Sequence, residues 1–463
     1  MEIAAEYLEQ ANEAFALRNS HPFVFRRHVK WTILSAPEYR ELASPGLSGE
    51  YPPTLVNNRA IPARKGPLGL VTHNGRLARM TAAVLVSSTG DPFTQTVSLV
   101  LLYQATGSPV AIAAAFGAEM LGVLTVGALI GAAADRVDRR KLIVALETAR
   151  FLIVASLPII TSTSIFLLYP FLLALASIEA LVQPARQAAV TELVSMEDVG
   201  AANALLMTAL TAAEAAGFAI AGALLIAVPD PRPLYIVDAL TFATSAVLVS
   251  TLGRMGGGIA TARLSSGVRT AWSLPRARHL LVVAAATALV VGMLNPSLLP
   301  VAYVLSGNGP SAFSVLQVAL IAGGFVGSLA IGRIVWPRRL SAQVAALWVF
   351  GIGVFVIGVS HNLLMAALAV ALSGIGNAAY SIANNTALME AATSDNRGTV
   401  MSARFTLTRS TMAVGLGVGP ALSTLVGPLR AVGFFGLGLV LVAALYSVFL
   451  AVSSPARIQS SPS

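Results

Sequence analysis

The chain has 463 residues, of which 56% are hydrophobic and only 11% charged, with a mean hydropathy of +0.76. A soluble domain carries about 25% charged residues, so this chain cannot cover itself with polar surface and must be an integral membrane protein. Its net charge of +9 does not mark a nucleic-acid binder, because many cations sit in loops between apolar stretches, and the absence of Cys excludes disulfides and thiolate metal sites.

Residues 1–78 differ from the rest. At helical spacing Ile3, Tyr7, Leu8, Ala11 and Phe15 share one face and Glu2, Glu6, Glu9 and Glu13 the opposite one, which suits a short amphipathic helix. The stretch 21–72 is richer in Pro, Gly and Arg and is expected to be irregular. This is expected to be a partly disordered cytoplasmic extension; the alternative is that translation starts near Met80. From there a bilayer core of ~30 Å needs about 20 apolar residues per helix. Twelve segments meet that need: 77–102, 110–133, 141–160, 164–185, 199–227, 234–252, 279–305, 311–335, 341–359, 363–388, 399–426 and 429–452. They divide into a first bundle (79–252), a polar linker (253–278), a second bundle (279–452) and a tail (453–463).

Charge placement supports the count. Loops and helix ends on the side of Arg139 carry Arg136, Arg140, Lys141, Arg186, Arg254, Arg263, Arg269, Arg276, Arg278, Arg333, Arg338, Arg339, Arg397 and Arg457; the other side holds Arg232, Arg430 and little else. Cytoplasmic loops are the cationic ones, so both termini are expected in the cytoplasm. The chain also repeats itself. Ala174-Leu-Ala-Ser-Ile178 resembles Ala371-Leu-Ser-Gly-Ile375, and the same offset carries Asp198 onto Asp395, Arg136 onto Arg333 and Gly127 onto Gly324. Two parallel six-helix halves with a site between them form a transporter architecture.

Charge inside a membrane is costly and marks candidate sites. Asp91, Glu119, Glu179 and Glu214 lie inside spans one, two, four and five. Facing a shared water-filled cavity, they would load a proton from one side and release it to the other, or attract a cationic or polar substrate. Asp91 precedes Pro92 and has the alternative of satisfying a freed backbone group; Glu214, among small residues, points either into a helix contact or into the cavity. Asp238, near a helix start, reads as structural, and Glu147 with Arg150 reads as a pair one turn apart. The second half offers Asn295, Gln317, Asn377, Asn384, Asn385, Arg404 and Arg409 instead. Asn384 and Asn385 would bind substrate or tie helices together. Arg404 is expected to snorkel to the cytoplasm, and the deeper Arg409 to pair with a first-half acid. Only Glu390 and Asp395 are acidic beyond residue 253. The sequence has no phosphate-loop motif, no metal-spaced His cluster and no nucleophile elbow, so neither a cofactor nor enzymatic activity is expected.

The run Gly131-Ala-Ala-Ala-Asp135-Arg136-Val137-Asp138-Arg139-Arg140-Lys141 resembles the signature between helices two and three of the major facilitator superfamily. The stretches Gln183-Pro-Ala-Arg186-Gln-Ala-Ala-Val and Asp238-Ala-Leu-Thr-Phe, with the Gly90-Asp91 pair, resemble the branch containing macrolide-type drug efflux proteins and the enterobactin exporter. The resemblance implies an all-α fold of twelve transmembrane helices in two pseudo-symmetric bundles. It also implies a conformational latch, of which Arg136 is a member: Asp135 pairs with a cation and faces the start of helix eleven, Arg139 and Arg140 hold the loop against neighbouring helix ends, and Gly131 allows close packing. Three departures stand out. Asp138 replaces the usual Gly, helix four is read as lacking the buried Arg of many drug–proton antiporters, and helix five lacks their Gly-Pro pair, whereas Gly419-Pro420 occurs in helix eleven.

The resulting expectation is a monomeric, proton-coupled exporter of small amphipathic compounds in a bacterial plasma membrane, with lipid and a small-molecule substrate as its partners. A siderophore or lipid-like metabolite exporter, or an importer, is the alternative in the same class, and a non-transporting sensor or scaffold the alternative in another.

Overall fold

A computed structural model describes residues 67–129, 138–195, 197–256, 272, 274–332, 339–392 and 396–453. A short leading helix, Pro67–His73, precedes twelve longer ones: α1 (Gly75–Thr106), α2 (Pro109–Leu129), α3 (Arg139–Thr163), α4 (Leu168–Leu193), α5 (Val199–Ala227), α6 (Leu234–Ser250), α7 (Pro275–Leu305), α8 (Gly309–Gly332), α9 (Arg339–Gly358), α10 (Leu363–Ala391), α11 (Arg397–Val426) and α12 (Pro428–Ser453). The leading helix and the start of α1 lie where the sequence reads as an irregular extension. The reason is packing: Leu70 and Leu77 are buried in a cluster with Ala185, Ala189 and Leu252.

Eight of the twelve are long and apolar enough, by length and composition, to cross a bilayer. Apolar but shorter stretches are Pro109–Leu124 in α2, and α6 itself. The remaining two, α1 and α11, have 32 and 30 residues and are more polar. Their polar side chains line cavities inside the bundles, as described below, while outward side chains such as Ile159 (72% exposed) and Leu425 (80%) are apolar. A protein in lipid needs that inversion, since polar groups must find partners inside.

The sequence repeat is real in three dimensions. Packed pairs α1–α5, α1–α6, α2–α4, α3–α4 and α3–α6 recur as α7–α11, α7–α12, α8–α10, α9–α10 and α9–α12. The two bundles meet through α5–α8 and α2–α11, which exchange under the same repeat.

Helix direction gives the molecule a basic end, where α1 and α3 start, and a far end, where they finish. At the basic end Asn74 caps α1 by accepting from the Arg76 and Leu77 N–H groups, and its Nδ2 donates to the Leu193 carbonyl at 2.6 Å. Asp138 caps α3 by accepting from the Arg140 N–H at 2.9 Å, a side-chain bond that glycine cannot make. Arg140 donates to the Ser250 and Leu252 carbonyls, and Arg139 pairs with Glu192 of α4.

The ends differ in how the halves meet. Toward the far end one apolar cluster runs through both bundles, with Phe218 of α5 edge-on to Phe313 of α8 (6.4 Å) and Tyr103 of α1 against Tyr303 of α7 (4.9 Å). At the basic end two further clusters are each confined to one bundle, and the shared cluster also reaches this end within the second bundle, at Ile331. Among the described residues the halves therefore share an apolar cluster at the far end, and no apolar cluster joins them at the basic end.

Candidate transport site

One face of α1 organises the first bundle. Ser87, Asp91, Thr94 and Ser98 recur at helical spacing, and each meets a side chain of another helix. Ser87 accepts from Arg186 of α4 (2.7 Å). Asp91 is ion-paired with Arg150 of α3. Thr94 donates to Asp238 of α6 (2.5 Å), and Ser98 meets the Tyr235 hydroxyl of the same helix (2.9 Å). Gly90 lets α6 come this close, because a Cβ there would collide with Asp238 and Thr241.

The buried seam of α3 is Ile143, Glu147, Arg150, Val154, Leu157 and Thr161, a strict three-and-four spacing. Its two charges do not pair with each other, contrary to the sequence expectation. Glu147 binds Arg186 at 2.5 Å, with both side chains almost wholly buried. Arg150, 5% exposed, is shared between Asp91 and Glu179 of α4, the latter at 2.9 Å, and its guanidinium lies 3.9 Å over the Phe242 ring. Glu179 also accepts from Gln183 at 2.6 Å. Helical geometry explains the swap. Residues three apart share a face, but two side chains that both point at neighbouring helices find better-placed partners there. Arg186 is therefore no loop cation, and α4 does carry a buried arginine.

Asp91, Glu119, Glu179, Arg150 and Asp238 surround a cavity of about 290 Å³, with Val154, Leu172, Leu175, Ala176 and Phe242 as apolar wall. Asp238 belongs to this wall instead of serving as a helix-dipole residue, because it lies a full turn into α6 and is fully buried. Asp91 is engaged by the Arg150 guanidinium and not by the backbone freed at Pro92. Glu119 and Asp238 form no ion pair among the described residues, whereas Asp91, Glu179 and Glu147 each do. Glu214 lines neither this cavity nor the one below; its helix packs on α1 through Gly217, whose Cα approaches Thr89 and Pro92.

The second bundle holds a different chamber, of about 210 Å³, between α7, α10 and α11. Asn377, Ser381, Thr287, Thr408, Arg404 and Arg409 give it a polar wall, and Ala288, Val291 and Met412 an apolar one. Arg404 lines this chamber and does not snorkel away, and Arg409 forms no ion pair with a first-half acid among the described residues. Asn384 is fully buried and donates to the Leu280 carbonyl (3.1 Å), tying α10 to α7; Asn385 lines neither chamber. Of the latch residues, Arg139 and Arg140 are placed as above, while Gly131, Asp135 and Arg136 lie outside the described residues.

Arg150, Glu147, Arg186 and Asp238 were not among the site residues singled out from sequence. The signal that could have found them is the ladder on α1, since small polar residues at helical spacing in an apolar span need partners on adjacent helices.

The family model for the Major Facilitator Superfamily matches residues 81–416. The chain belongs to this superfamily. Among solved structures, the nucleoside transporter NupG superposes with a TM-score of 0.66 at 11% identity, covering 81% of this chain and 99% of that one. A peptide-transporter (POT) family member in complex with 5-aminolevulinic acid gives 0.62 at 15%, covering 85% and 99%. A bacterial homologue of the iron transporter ferroportin, in an inward-facing state, gives 0.60 at 14%, covering 80% and 99%. At these identities the likeness is one of fold. No curated protein matches the sequence.

Proposed function

We propose that this major facilitator protein is a proton-coupled secondary exporter of small amphipathic compounds, working as a monomer by alternating access in a bacterial plasma membrane. The observation that carries the reading is Arg150 held between Asp91 and Glu179 in a chamber that Glu119 also lines. A proton arriving on Asp91 or Glu179 releases one of the two bonds to Arg150. That loosens α3 from α1 or from α4, so protonation is coupled to helix packing. Glu119, with no guanidinium on it, is the group through which protons reach the pair. The apolar wall beside these carboxyls suits a solute with both a greasy body and a polar or cationic end.

Assigning the basic end to the cytoplasm follows the loop-charge rule and puts both termini there. The halves, joined among the described residues by an apolar cluster at the far end and by none at the basic end, then correspond to an inward-open state. Export, as opposed to import, rests on the resemblance of Gly90-Asp91, residues 183–190 and residues 238–242 to the drug-efflux and enterobactin-exporter branch.

The test is efflux of a panel of amphipathic compounds from vesicles with an imposed pH gradient. Flux should fall when the gradient is collapsed. Glu119→Gln should cut gradient-driven flux about tenfold, equivalent to about 1.4 kcal/mol on the barrier, without a change in melting temperature. Flux indifferent to the gradient would remove proton coupling. Absence of flux for every compound, with activity lost only on deleting residues 1–78, would favour a sensor or scaffold.

A further inference from the structure

The chamber of the second bundle has a chemistry of its own. Two guanidiniums, Arg404 and Arg409, line it with the amide of Asn377 and the hydroxyls of Ser381, Thr287 and Thr408. Among the described residues no carboxylate lines it, and in the whole sequence beyond residue 253 the only acids are Glu390 and Asp395. Neither arginine forms a salt bridge among the described residues; the Arg404 Nε–H is buried without an acceptor, and the Arg409 guanidinium lies 5.3 Å from the Phe405 ring. Thr287 and Thr408 spend their hydroxyl protons on backbone carbonyls one turn back, so the donors left facing the chamber are the guanidiniums, the Asn377 amide and Ser381.

Uncompensated cations inside a membrane protein demand a partner. A planar guanidinium with parallel N–H donors matches a carboxylate, sulfonate or phosphate by paired charge-assisted hydrogen bonds. We propose that this chamber is an anion subsite, which takes the carboxylate, sulfonate or phosphate group of an organic solute while its apolar portion rests on Val291 and Met412. The inference deepens the transport reading and rests on it. The solute class becomes amphipathic anions and zwitterions, with the acidic chamber of the first bundle available for a cationic end. Pseudo-symmetry supports a shared use. The sequence offset of the repeat carries Asp91 and Thr94, which line the first chamber, onto Ala288 and Val291, which line the second.

The test is an equilibrium binding measurement, independent of any gradient, so that its failure and the failure of proton coupling are distinguishable. The purified full chain in nanodiscs of zwitterionic lipid is titrated with 2-naphthoate, 2-naphthalenesulfonate and 2-naphthyl phosphate, with uncharged 2-naphthamide as control, and the melting temperature is followed. At least one anion should raise it saturably where the amide does not. Arg404→Gln and Arg409→Gln should each weaken that anion's half-saturation about tenfold, while Arg404→Lys, which keeps the charge and folding environment, should recover part of the loss. Equal stabilisation by the amide, no stabilisation by any anion, or anion binding unchanged in both Gln variants would overturn the proposal. So would loss of the anion effect in nanodiscs containing phosphatidylglycerol, because a lipid headgroup would then be the occupant.

Discussion

The two bundles share one topology and differ in what they enclose. In the first, buried guanidiniums are consumed by carboxylates: Arg186 by Glu147, and Arg150 by Asp91 and Glu179. In the second, Arg404 and Arg409 line a chamber with no carboxylate among the described residues. Helix pairing therefore depends little on charge, since α1–α5 and α7–α11 pack alike with opposite electrostatics in their neighbourhoods. Small residues do that work in both halves. Gly217 approaches α1 in one, and Gly292 and Gly415 bring α7 and α11 together in the other. With packing handled by small side chains, the polar residues of each half are released for chemistry.

The contrast predicts that charge removal is severe in the first bundle and mild in the second. The largest effect should come from the wholly buried pair. Arg186→Met strands Glu147 and should cost about 4 kcal/mol, whereas the Arg186→Met, Glu147→Leu double variant should return to within about 1 kcal/mol of the parent. Chemical unfolding in detergent measures both, and a double variant as unstable as the single would break the assignment of this pair as a closed unit. Next comes Arg150→Met, which leaves Asp91 and Glu179 facing each other. Because these carboxylates are about a third exposed to the chamber, water screens them and the cost should be nearer 3 kcal/mol. Transport should be lost, and here a second substitution at Asp91 should not restore it.

Smaller effects probe what the halves share. Tyr103→Ala removes the ring contact with Tyr303 and should weaken the far-end clamp by about 0.5–1.5 kcal/mol. Spin-label distances across the far end should then broaden toward separation; an unaltered distribution would show that this contact does not hold the state. Smallest of all, Arg409→Gln should move folding stability by no more than about 0.5 kcal/mol, since no described carboxylate loses its partner. A cost comparable with that of Arg150→Met would mean that the second chamber is a structural ion cluster like the first, and would erase the contrast between them.

How far the site was legible from sequence varies by residue. Asp91, Glu119 and Glu179 stand out because an acid in an apolar span is costly unless it faces a cavity or a partner, and the structure brings them to one chamber. Arg186 is misplaced by its apolar-run boundary: the fourth run ends at 185, while the helix continues to Leu193 and takes Arg186 inside. For Asp238 the run and α6 both start at residue 234, and what the boundary does not give is the helix face that meets α1. Glu147 and Arg150 were misread because spacing along one helix cannot say what stands on the next.

The amino-acid order by itself determined a membrane chain of twelve helices in two repeated halves with a basic end. Those properties follow from runs of apolar residues and from where cations interrupt them, and hydrophobic transfer and the cost of charge act on each segment independently. Which guanidinium meets which carboxylate, and that the described apolar side chains join the halves at the far end, only the tertiary structure decided. Side-chain partners on adjacent helices depend on helix rotation and on close approach at positions such as Gly90, beside which Thr94 meets Asp238, 144 positions on in the chain, through a contact no local pattern encodes.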